Sequence, residues 1–571
     1  MNWAEKHARE IINLFPDKEE YVCASGITPS GFIHVGNFRE YFTVDLVVQE
    51  LRKLGKKVKH IHSWDNFDPF RKVPKNIPQE RKEEYQKYIG MCITDIPDPW
   101  NKEKSYADFF IRKFEDELQM VGCSAEYLYQ EKIYRSTAYK DGIKLALINR
   151  SKVMEVYNKF RKEPLEDNWW PVTLWCEKCN KITDIILGYD NNYTLEYRCK
   201  SCNHEGKLDF SKNGNVKLRW RVDWPMRWAY YNETFEPSGK DHMSSGGSND
   251  LAKILIKDVY NKQPPYVFMY EFIGVKGGAG KMSSSSGNVY TISDILRYYI
   301  PEAFRFLYVS TKPNSNFDIQ LDENIFQRYE EFYSLEKKYY DYLESDNKEE
   351  EKIDADILKE YEMSNVWKTD KRPYQPKPQE ILVLNQVLGD DAVNFYIKIN
   401  NLTEKEDLKR VKQISECMKN WLEDFAIDKY ICKTEASFDE NIKNEIIYFL
   451  ENNEYDKEYQ NNFYNYMKSK NININPDFII LDEPSSALDP IAEAEIYEKM
   501  MKLGKDRTLL FISHRLSTTV KANKIYLFSE GKVIEEGTHH ELMQKEEGQY
   551  QYMFSIQARN YLNGVKDNED I

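Results

Sequence analysis

The stretch 21–37, YVCASGITPSGFIHVGN, decides the fold that we expect for this chain. Its apolar start, residues 21–24, predicts a β-strand, and the glycines and the proline of 26–31 predict a turn. Apolar residues at helical spacing over 38–54 then predict a helix, which Gly55 ends. A strand, a turn and a helix in this order predict an α/β fold, and the N-terminus of such a helix is a natural site for a phosphate group.

Two polar side chains mark the entrance of this helix. His34 and Asn37 lie three residues apart, where both reach a nucleotide phosphate, and Gly36 lets a ligand approach the backbone. The alternative is an ordinary loop with a capping Asn. A second stretch, KMSSS at 281–285, follows three glycines and places Lys281 on a Gly/Ser loop, as stabilisation of a leaving pyrophosphate requires. Together the two stretches indicate chemistry on a nucleoside triphosphate.

A second strand is predicted over 56–64, and polar side chains follow it directly at 65–68. Open parallel sheets bind their ligands at the carboxyl ends of the strands, so we expect a Rossmann-like parallel sheet with its site at this edge. The chain has no GxGxxG motif, and we do not infer a dinucleotide. His60 and His62 alternate within the strand, which favours packed rather than catalytic side chains.

Four cysteines form two closely spaced pairs. Cys176 and Cys179 are separated by two residues, nineteen residues follow, and Cys199 and Cys202 repeat the spacing. Four thiolates in two such knuckles fit a closed tetrahedral zinc site, which would be structural because no position is left open for chemistry. The alternatives are a redox pair, four unrelated cysteines, or His204 in place of one thiolate.

Aromatic and acidic side chains are dense over 219–242, which begins RWRVDWPMRW and ends EPSGKDH. Cation–π contacts and carboxylates would together recognise an ammonium group. The alternative is a Trp-rich strand of the core.

Length and composition bound the class of protein. A chain of 571 residues, 41% hydrophobic and 14% aromatic, predicts several folded domains and excludes wholesale disorder. A net charge of −14 argues against a nucleic-acid binder held by global charge, although a local basic surface would suffice. Residues 1–15 do not form a secretory signal, no apolar run approaches a membrane span, and nine cysteines suit a reducing compartment. We therefore expect a cytoplasmic protein.

HVGN followed by KMSSS resembles the two signature motifs of class I aminoacyl-tRNA synthetases, and the flanking segments resemble the class I lysyl-tRNA synthetases. Those segments include SWDNFDPFRKVP, CITDIPDPW, RWRVDWPMRW and EPSGKDH, in the family's order. The resemblance covers about residues 1–320 and continues more weakly to about 470. It implies a Rossmann-like catalytic domain over 1–320 with a zinc-ribbon-like insertion at about 170–210, and an all-α anticodon-binding region over 321–475 that is truncated.

The resemblance also implies site residues and partners. Matching positions give the lysine-binding residues as Gly26, Thr28, Trp220, His242 and Tyr270. They give the ATP-binding residues as His34, Gly36, Asn37, Gly239, Asp241, Lys281, Met282 and Ser283, of which His34, Asn37 and Lys281 would be catalytic. The expected reaction is ATP-dependent formation of lysyl-adenylate, with Mg²⁺, and transfer of lysine to tRNA(Lys). Many class I synthetases have a second Lys where this chain has Ser284, so Lys281 would supply the cationic contact alone.

The end of the chain has a different character. FIILDEPSSALDP at 478–490 and LFISH at 510–514 resemble the Walker B, D-loop and switch-His segments of ABC transporter ATPases. The resemblance makes residues 476–571 a partial α/β ABC ATPase segment with a vestigial site at Asp482, Glu483 and His514. The Walker A motif, the Q-loop and the signature helix are missing, so we expect no ATP hydrolysis there. Unpaired strand edges would favour association through this tail.

Two other functions remain open at this point. One is an ABC-type ATP-binding transport or regulatory module whose front has decayed, against which the missing Walker A motif argues. The other is a class I synthetase for a different amino acid, which an amino-acid-dependent exchange assay would distinguish.

Overall fold

The structure is a computed structural model, and it describes residues 2–276, 289–345, 355–365, 367, 369–427, 430–431, 478–482, 508–512, 516–529, 532–545 and 548–556. The chain divides into two compact units, Met1–Lys433 and Thr434–Ile571. The KMSSS stretch lies outside the described residues. None of the described helices is both long enough and apolar enough to cross a membrane.

A parallel sheet forms the centre of the first unit, with strands numbered in chain order. β1 (Glu20–Ile27), β2 (Lys57–Trp64) and β3 (Glu126–Tyr129) lie side by side in the order β1-β2-β3. The register places Tyr21 opposite Val58 and Ile61 opposite Glu126. The two strands predicted at 21–24 and 56–64 are confirmed. The prediction of Gly26 as a turn residue is wrong, because backbone pairing extends β1 to Ile27.

Parallel pairing continues on the other side of β1. The Ala24 N–H donates to the Phe235 carbonyl at 2.8 Å, and Phe235 bridges in turn to Tyr266. Just beyond these residues, β10 (Ser238–Gly239) and β11 (Met269–Tyr270) pair in parallel. The resulting order, β3-β2-β1-β10-β11, is that of a doubly wound sheet, so the carboxyl ends of β1, β2, β10 and β11 share one edge.

Helices cover this sheet. Those up to residue 258 are α1 (Trp3–Leu14), α2 (Val35–Lys53), α3 (Lys82–Tyr85), α4 (Tyr106–Met120), α5 (Gln130–Arg135), α6 (Lys140–Ile148), α7 (Arg150–Asn158), α8 (Trp220–Tyr231) and α9 (Ser248–Asp258). Short 3-10 helices cover Gln79–Arg81, Gln86–Tyr88 and Lys240–His242. α2 is the predicted helix, and its apolar side chains are buried against β1 and β2. It ends just before Gly55, whose φ of 76° is easily adopted by glycine.

The two histidines of β2 lie in the core between the sheet and α2. His62 is fully buried and its Nδ1 lies 2.7 Å from the Ser25 hydroxyl, while His60 is 4% exposed. Burial lowers the pKa of His60 to about 4 and that of His62 to about 3, so both rings are neutral. They are packed, as the sequence predicts.

The stretch that carries the four cysteines is a small antiparallel insertion. β4 (Val172–Trp175) pairs with β5 (Ile182–Thr183) and β9 (Val216–Leu218), and a second sheet has the order β6-β7-β8, with bounds Ile185–Tyr189, Thr194–Arg198 and Glu205–Asp209. These strands span residues 172–218, and the predicted limits of the insertion, about 170 and 210, stay predictions.

The remainder of the first unit is mainly helical. β12 (Ile273–Lys276) pairs in parallel with β13 (Phe317–Gln320). The helices are α10 (Ile292–Ile295), α11 (Pro301–Val309), α12 (Ile325–Glu344), α13 (Ala355–Ser364), α14 (Pro378–Leu388), α15 (Ala392–Ile399) and α16 (Lys405–Phe425), with a 3-10 helix at Gly389–Asp391. The domain boundaries at about 320 and 475 stay predictions.

The second unit is described in short segments. β14 (Phe478–Asp482) pairs in parallel with β15 (Thr508–Ile512), and β16 (Ile525–Ser529) pairs antiparallel with β17 (Lys532–Gly537). A 3-10 helix covers Leu516–Lys521, and α17 covers His539–Met543. Asp482 is the last residue of β14. Glu483 and His514 lie outside the described residues.

A buried ionic network holds the helical part of the first unit together. Glu336 on α12 is fully buried, and both of its carboxylate oxygens accept hydrogen bonds from Arg410 of α16, at 2.7 and 2.9 Å. The Tyr361 hydroxyl donates to the same carboxylate at 2.9 Å, and the Gln375 amide at 3.0 Å. One carboxylate therefore joins α12, α13 and α16 with all its lone pairs engaged.

Removing this carboxylate should destabilise the first unit strongly. We expect Glu336→Ala to lower the free energy of unfolding by about 3–5 kcal/mol, because Arg410 would stay buried without its counter-charge. The exposed Glu330 on the same helix is the matched control, and Glu330→Ala should change stability by no more than about 0.5 kcal/mol. Denaturant unfolding followed by circular dichroism measures both; equal stability of the two variants would contradict this account.

Candidate active site

The N-terminus of α2 is closed by a reciprocal cap between His34 and Asn37. The His34 Nδ1 accepts the backbone N–H groups of Gly36 and Asn37 at 3.1 and 3.3 Å, and the Asn37 side-chain oxygen accepts the His34 N–H at 3.3 Å. Because Nδ1 is an acceptor, the ring proton lies on Nε2. Burial lowers the pKa of His34, so the ring is a neutral donor beside the positive end of a 19-residue helix.

One turn further along α2, Glu40 turns its carboxylate toward the end of β1. The Gly26 N–H donates to one carboxylate oxygen at 2.8 Å, and the Tyr270 hydroxyl donates to the other at 2.5 Å. Burial raises the pKa of Glu40 to about 8. The two hydrogen bonds lower this pKa, whereas repulsion from Glu236 and Asp65 raises it further. Glu40 thus connects β1, α2 and β11 at the carboxyl edge of the sheet.

Neighbouring carboxylates differ in whether a cation neutralises them. Arg227 lies 2.6 Å from Asp65, and Lys217 lies 2.6 Å from Asp68. Burial opposes ionisation of Asp65, but these two cations keep its pKa below the ordinary value. Among the described residues no ion pair involves Glu40, and the largest causes of its raised pKa include no cation. Glu40 is a partly exposed residue whose carboxylate has no counter-charge among the described residues.

An aromatic wall, formed by Trp220, Trp224, Trp228 and His242, lies at the neighbouring carboxylate of Glu236. The predicted Trp-rich segment is helix α8, not a strand, and the N–H groups of Trp224 and Trp228 both donate to one oxygen of the buried Glu236, that of Trp224 at 2.7 Å. Trp220, 37% exposed, stacks on Trp224 with ring centroids 5.3 Å apart, and the His242 ring lies 6.2 Å from Trp220. Trp220 and His242 therefore offer aromatic faces to the solvent side of the site.

The structure brings several of the predicted residues together. Gly26 and Tyr270 share the Glu40 carboxylate, and a Cβ atom at Gly239 would approach the Tyr270 hydroxyl to 3.3 Å. Trp220 and His242 are part of the aromatic wall. Thr28 is exposed on the turn after β1, and Asp241 is exposed in the 3-10 helix Lys240–His242. Lys281, Met282 and Ser283 lie outside the described residues.

The sequence does not single out Glu40, Glu236 or Arg227. Glu40 stands between Arg39 and Tyr41 on α2 and resembles an ordinary surface charge in the sequence until its distant partners, Gly26 and Tyr270, are known. The only usable signal is its position one turn after the HVGN stretch, on the helix that carries the cap.

The four predicted cysteines also meet. The Sγ atoms of Cys176, Cys179, Cys199 and Cys202 all lie within 4.8 Å of one another, and His204 is not among them. Backbone N–H groups of Lys178 and Ser201 donate to Cys176 Sγ and Cys199 Sγ at 3.4 Å, one in each knuckle. Four converging sulfurs, supported by backbone donors, fit a tetrahedral thiolate metal site.

Comparisons with known proteins agree with this geometry. Residues 1–366 match the family model described as tRNA synthetases class I (K). The chain is 40% identical over 472 residues to a lysine–tRNA ligase of Pyrococcus horikoshii, covering 80% of this chain and 88% of the relative. It is 40% identical over 484 residues to that of Borreliella burgdorferi, covering 82% and 91%, and 39% identical over 427 residues to that of Treponema pallidum, covering 74% and 80%. The chain therefore belongs to the class I lysyl-tRNA synthetase family.

Proposed function

We propose that this protein is a lysine–tRNA ligase, which activates lysine with ATP and transfers it to tRNA(Lys). The observation that carries the proposal is the Glu40 carboxylate, which has two neutral donors and no cation within the described residues. A carboxylate in this state is a receptor for a cationic group of a ligand. Membership of the family and its lysine–tRNA ligase relatives support the same function.

The ε-ammonium of lysine would bind between Glu40 and the Tyr270 hydroxyl. Trp220 and His242 would contact the rest of the amino acid, with Gly26 and Thr28 on the strand side. An amino acid without a side-chain cation would leave the Glu40 carboxyl unpaired, and sites built around a buried polar group reject such analogues strongly. The pocket would therefore select lysine by its charge.

The lysine carboxylate would attack the α-phosphorus of ATP. A new P–O bond forms, the bond to the β-phosphate oxygen breaks, and pyrophosphate leaves with the electron pair. The His34 Nε2–H, held at the N-terminus of α2 by the cap that uses the Gly36 and Asn37 N–H groups, would donate to phosphate oxygens as their charge increases. Gly239, Asp241, Met282 and Ser283 would hold the nucleotide, Lys281 would bind the leaving pyrophosphate, and Mg²⁺, when bound, would neutralise charge on the phosphates.

In the second step, a hydroxyl of the 3′-terminal ribose of tRNA attacks the acyl carbon of lysyl-adenylate. The acyl–phosphate C–O bond breaks, AMP leaves with the electron pair, and the hydroxyl proton passes to a phosphate oxygen of AMP. The helical region from 321 onward would contact the anticodon. We place the reaction in the cytoplasm.

The tail from about 476 is proposed to be a partial ABC ATPase segment without activity. The proposal rests on the resemblance of the sequence; β14 and β15 pair in parallel, and Asp482 is the last residue of β14. Without a Walker A cradle for the phosphates, Asp482, Glu483 and His514 would have no nucleotide to act on. Association through its strand edges is the remaining proposed role of the tail.

Pyrophosphate–ATP exchange with each of the twenty amino acids tests the proposed function. We expect exchange with lysine alone. Glu40→Gln should lower kcat/KM for lysine by on the order of 10²-fold or more, because the loss of one partner of a buried charge pair costs about 2–5 kcal/mol.

Glu50→Gln is the matched control for this substitution. Glu50 is a buried carboxylate on the same helix, but its partner is Lys53 at 3.1 Å, away from the site. Its variant should keep lysine-dependent exchange. Exchange with another amino acid while lysine is inert would refute the assignment, and full activity of Glu40→Gln would refute the role of Glu40.

We also propose that Cys176, Cys179, Cys199 and Cys202 hold one structural zinc ion. The protein, purified without chelator, should contain about one equivalent of zinc. Cys202→Ser should lose the metal and lower the stability of the insertion, because metal binding is coupled to folding, while lysine-dependent exchange changes less.

Ser201→Ala is the control for the zinc site, because it changes the exposed neighbour of Cys202 and keeps all four thiols. It should retain the metal. Less than half an equivalent of zinc in the unaltered protein, measured by metal analysis, would count against the site.

A further inference from the structure

Glu236 is a buried carboxyl group behind the proposed lysine pocket, and the reaction as proposed gives it no part. It lies in the short segment between β10 and Phe235, whose carbonyl accepts the Ala24 N–H of β1 at 2.8 Å. The Glu236 N–H donates to the Tyr266 carbonyl at 3.2 Å. Its backbone is therefore fixed in the central sheet, while its side chain, 9% exposed, reaches α8.

One oxygen of this carboxyl group accepts two indole N–H groups from α8. The donors are Trp224, at 2.7 Å, and Trp228, one turn later. Both rings are buried, and together with Ala252 and Ile256 of α9 they form one apolar cluster. A buried donor that loses its acceptor costs more free energy than an average hydrogen bond contributes. The position of the accepting oxygen therefore decides where the two indole rings can lie.

Trp224 supports the two outer rings of the aromatic wall. Trp220 stacks on Trp224 with 14° between the ring planes, and the His242 ring centroid lies 6.1 Å from that of Trp224. The Arg227 guanidinium, on the same helix, lies 5.5 Å from the centroid of the Trp220 ring. Trp220 and His242 are the rings proposed to contact lysine, so a displacement of Trp224 would change that contact.

Ionisation of Glu236 is opposed by its surroundings. Burial raises the pKa of Glu236, although the indole N–H groups and Arg227 lower it. Burial and repulsion from Glu236 raise the pKa of the neighbouring Glu233 well above its ordinary value. A neutral side chain of the same length would therefore be tolerated at position 236, provided that it offers the same accepting oxygen.

We propose that Glu236 is a positioning residue of the lysine site, which fixes Trp224 through the shared oxygen and thereby places Trp220 and His242 against the amino acid. The inference rests on the proposed function, because that function assigns the two outer rings to lysine. Glu236 itself binds no substrate and acts through the rings. The competing role is direct attraction of the lysine ammonium by the charge of Glu236, in addition to that of Glu40.

Two substitutions of Glu236 separate position from charge. Glu236→Asp keeps the charge but withdraws the oxygen by one methylene group, whereas Glu236→Gln keeps an oxygen at the same distance and removes the charge. In pyrophosphate exchange, Glu236→Asp should raise KM for lysine on the order of tenfold with kcat nearly unchanged, because the wall contacts lysine equally in the ground state and the transition state. Glu236→Gln should stay within about threefold of the unaltered protein. The reverse order would show attraction by charge and overturn the proposal.

Glu115→Asp is the matched control for this pair. Glu115, on α4, is also 9% exposed and also accepts an indole N–H group, that of Trp64 at 2.9 Å, but Trp64 is not part of the aromatic wall. The control should lose a comparable amount of stability in denaturant unfolding and keep KM for lysine within about twofold. An equal rise of KM in the control would make the effect of Glu236→Asp a general loss of packing and overturn the proposal.

Substitutions in the wall test whether Glu236 acts through the rings. Trp224→Phe keeps an aromatic ring and removes the N–H donor, so KM for lysine should rise although Glu236 is intact; this variant also decides the case should Glu236→Asp fail to fold. In a Trp220→Ala background, Glu236→Asp should raise KM for lysine by less than about threefold, because effects that pass through one group do not add. Additive effects, or an unchanged KM in Trp224→Phe, would contradict the proposal.

Fluorine NMR of protein labelled with fluorotryptophan follows the rings without any turnover. The resonances of Trp220 and Trp224, assigned with their Phe variants, should move in Glu236→Asp and stay in place in Glu236→Gln and Glu115→Asp. Unmoved resonances in Glu236→Asp would overturn the proposal. This measurement requires neither lysine nor ATP, whereas the proposed function fails by the absence of lysine-dependent exchange, so the two failures are distinguishable.

Discussion

The site depends on one carboxylate that no cation of the described chain neutralises. Glu40 holds the end of β1 through the Gly26 N–H and the end of β11 through the Tyr270 hydroxyl, so the two strands and α2 meet at a single group. Such a carboxylate is costly to ionise, which is why burial raises its pKa to about 8. Under the proposed function, the ammonium group of lysine would supply the missing positive charge and offset this cost.

Two acidic side chains near Glu40 already have cationic partners, so the missing counter-charge is specific to Glu40 among these three. Asp65 and Asp68 occupy the same edge of the sheet, but Arg227 and Lys217 neutralise them at 2.6 Å. Glu236 is occupied by the indole N–H groups of Trp224 and Trp228. A cationic side chain that enters the site would meet Glu40 as a carboxylate without a counter-charge among the described residues, and the His34 cap at the N-terminus of α2 would bind phosphate oxygens.

The parts of the fold set by neighbouring residues were predictable from the sequence, and the parts set by distant contacts were not. β1, α2 and β2 follow from local periodicity, and the four cysteines from their spacing. The Trp-rich segment is helical although Pro225 lies within it, because Trp224 and Trp228, one turn apart, both reach Glu236. Glu40 was missed because Tyr270 lies 230 residues away in the chain, and no local pattern reports such a contact.

The most direct measurement of the central claim is the proton release that accompanies lysine binding. With a free-state pKa of about 8, Glu40 is largely protonated below pH 7, and binding of the ammonium favours its ionised form. Titration calorimetry at pH 6.5 in two buffers of different ionisation enthalpy should show release of close to one proton, and lysine affinity should rise with pH up to about 8 and then level off. Lysine binding with no proton release, or with the same release in Glu40→Gln, would contradict the account.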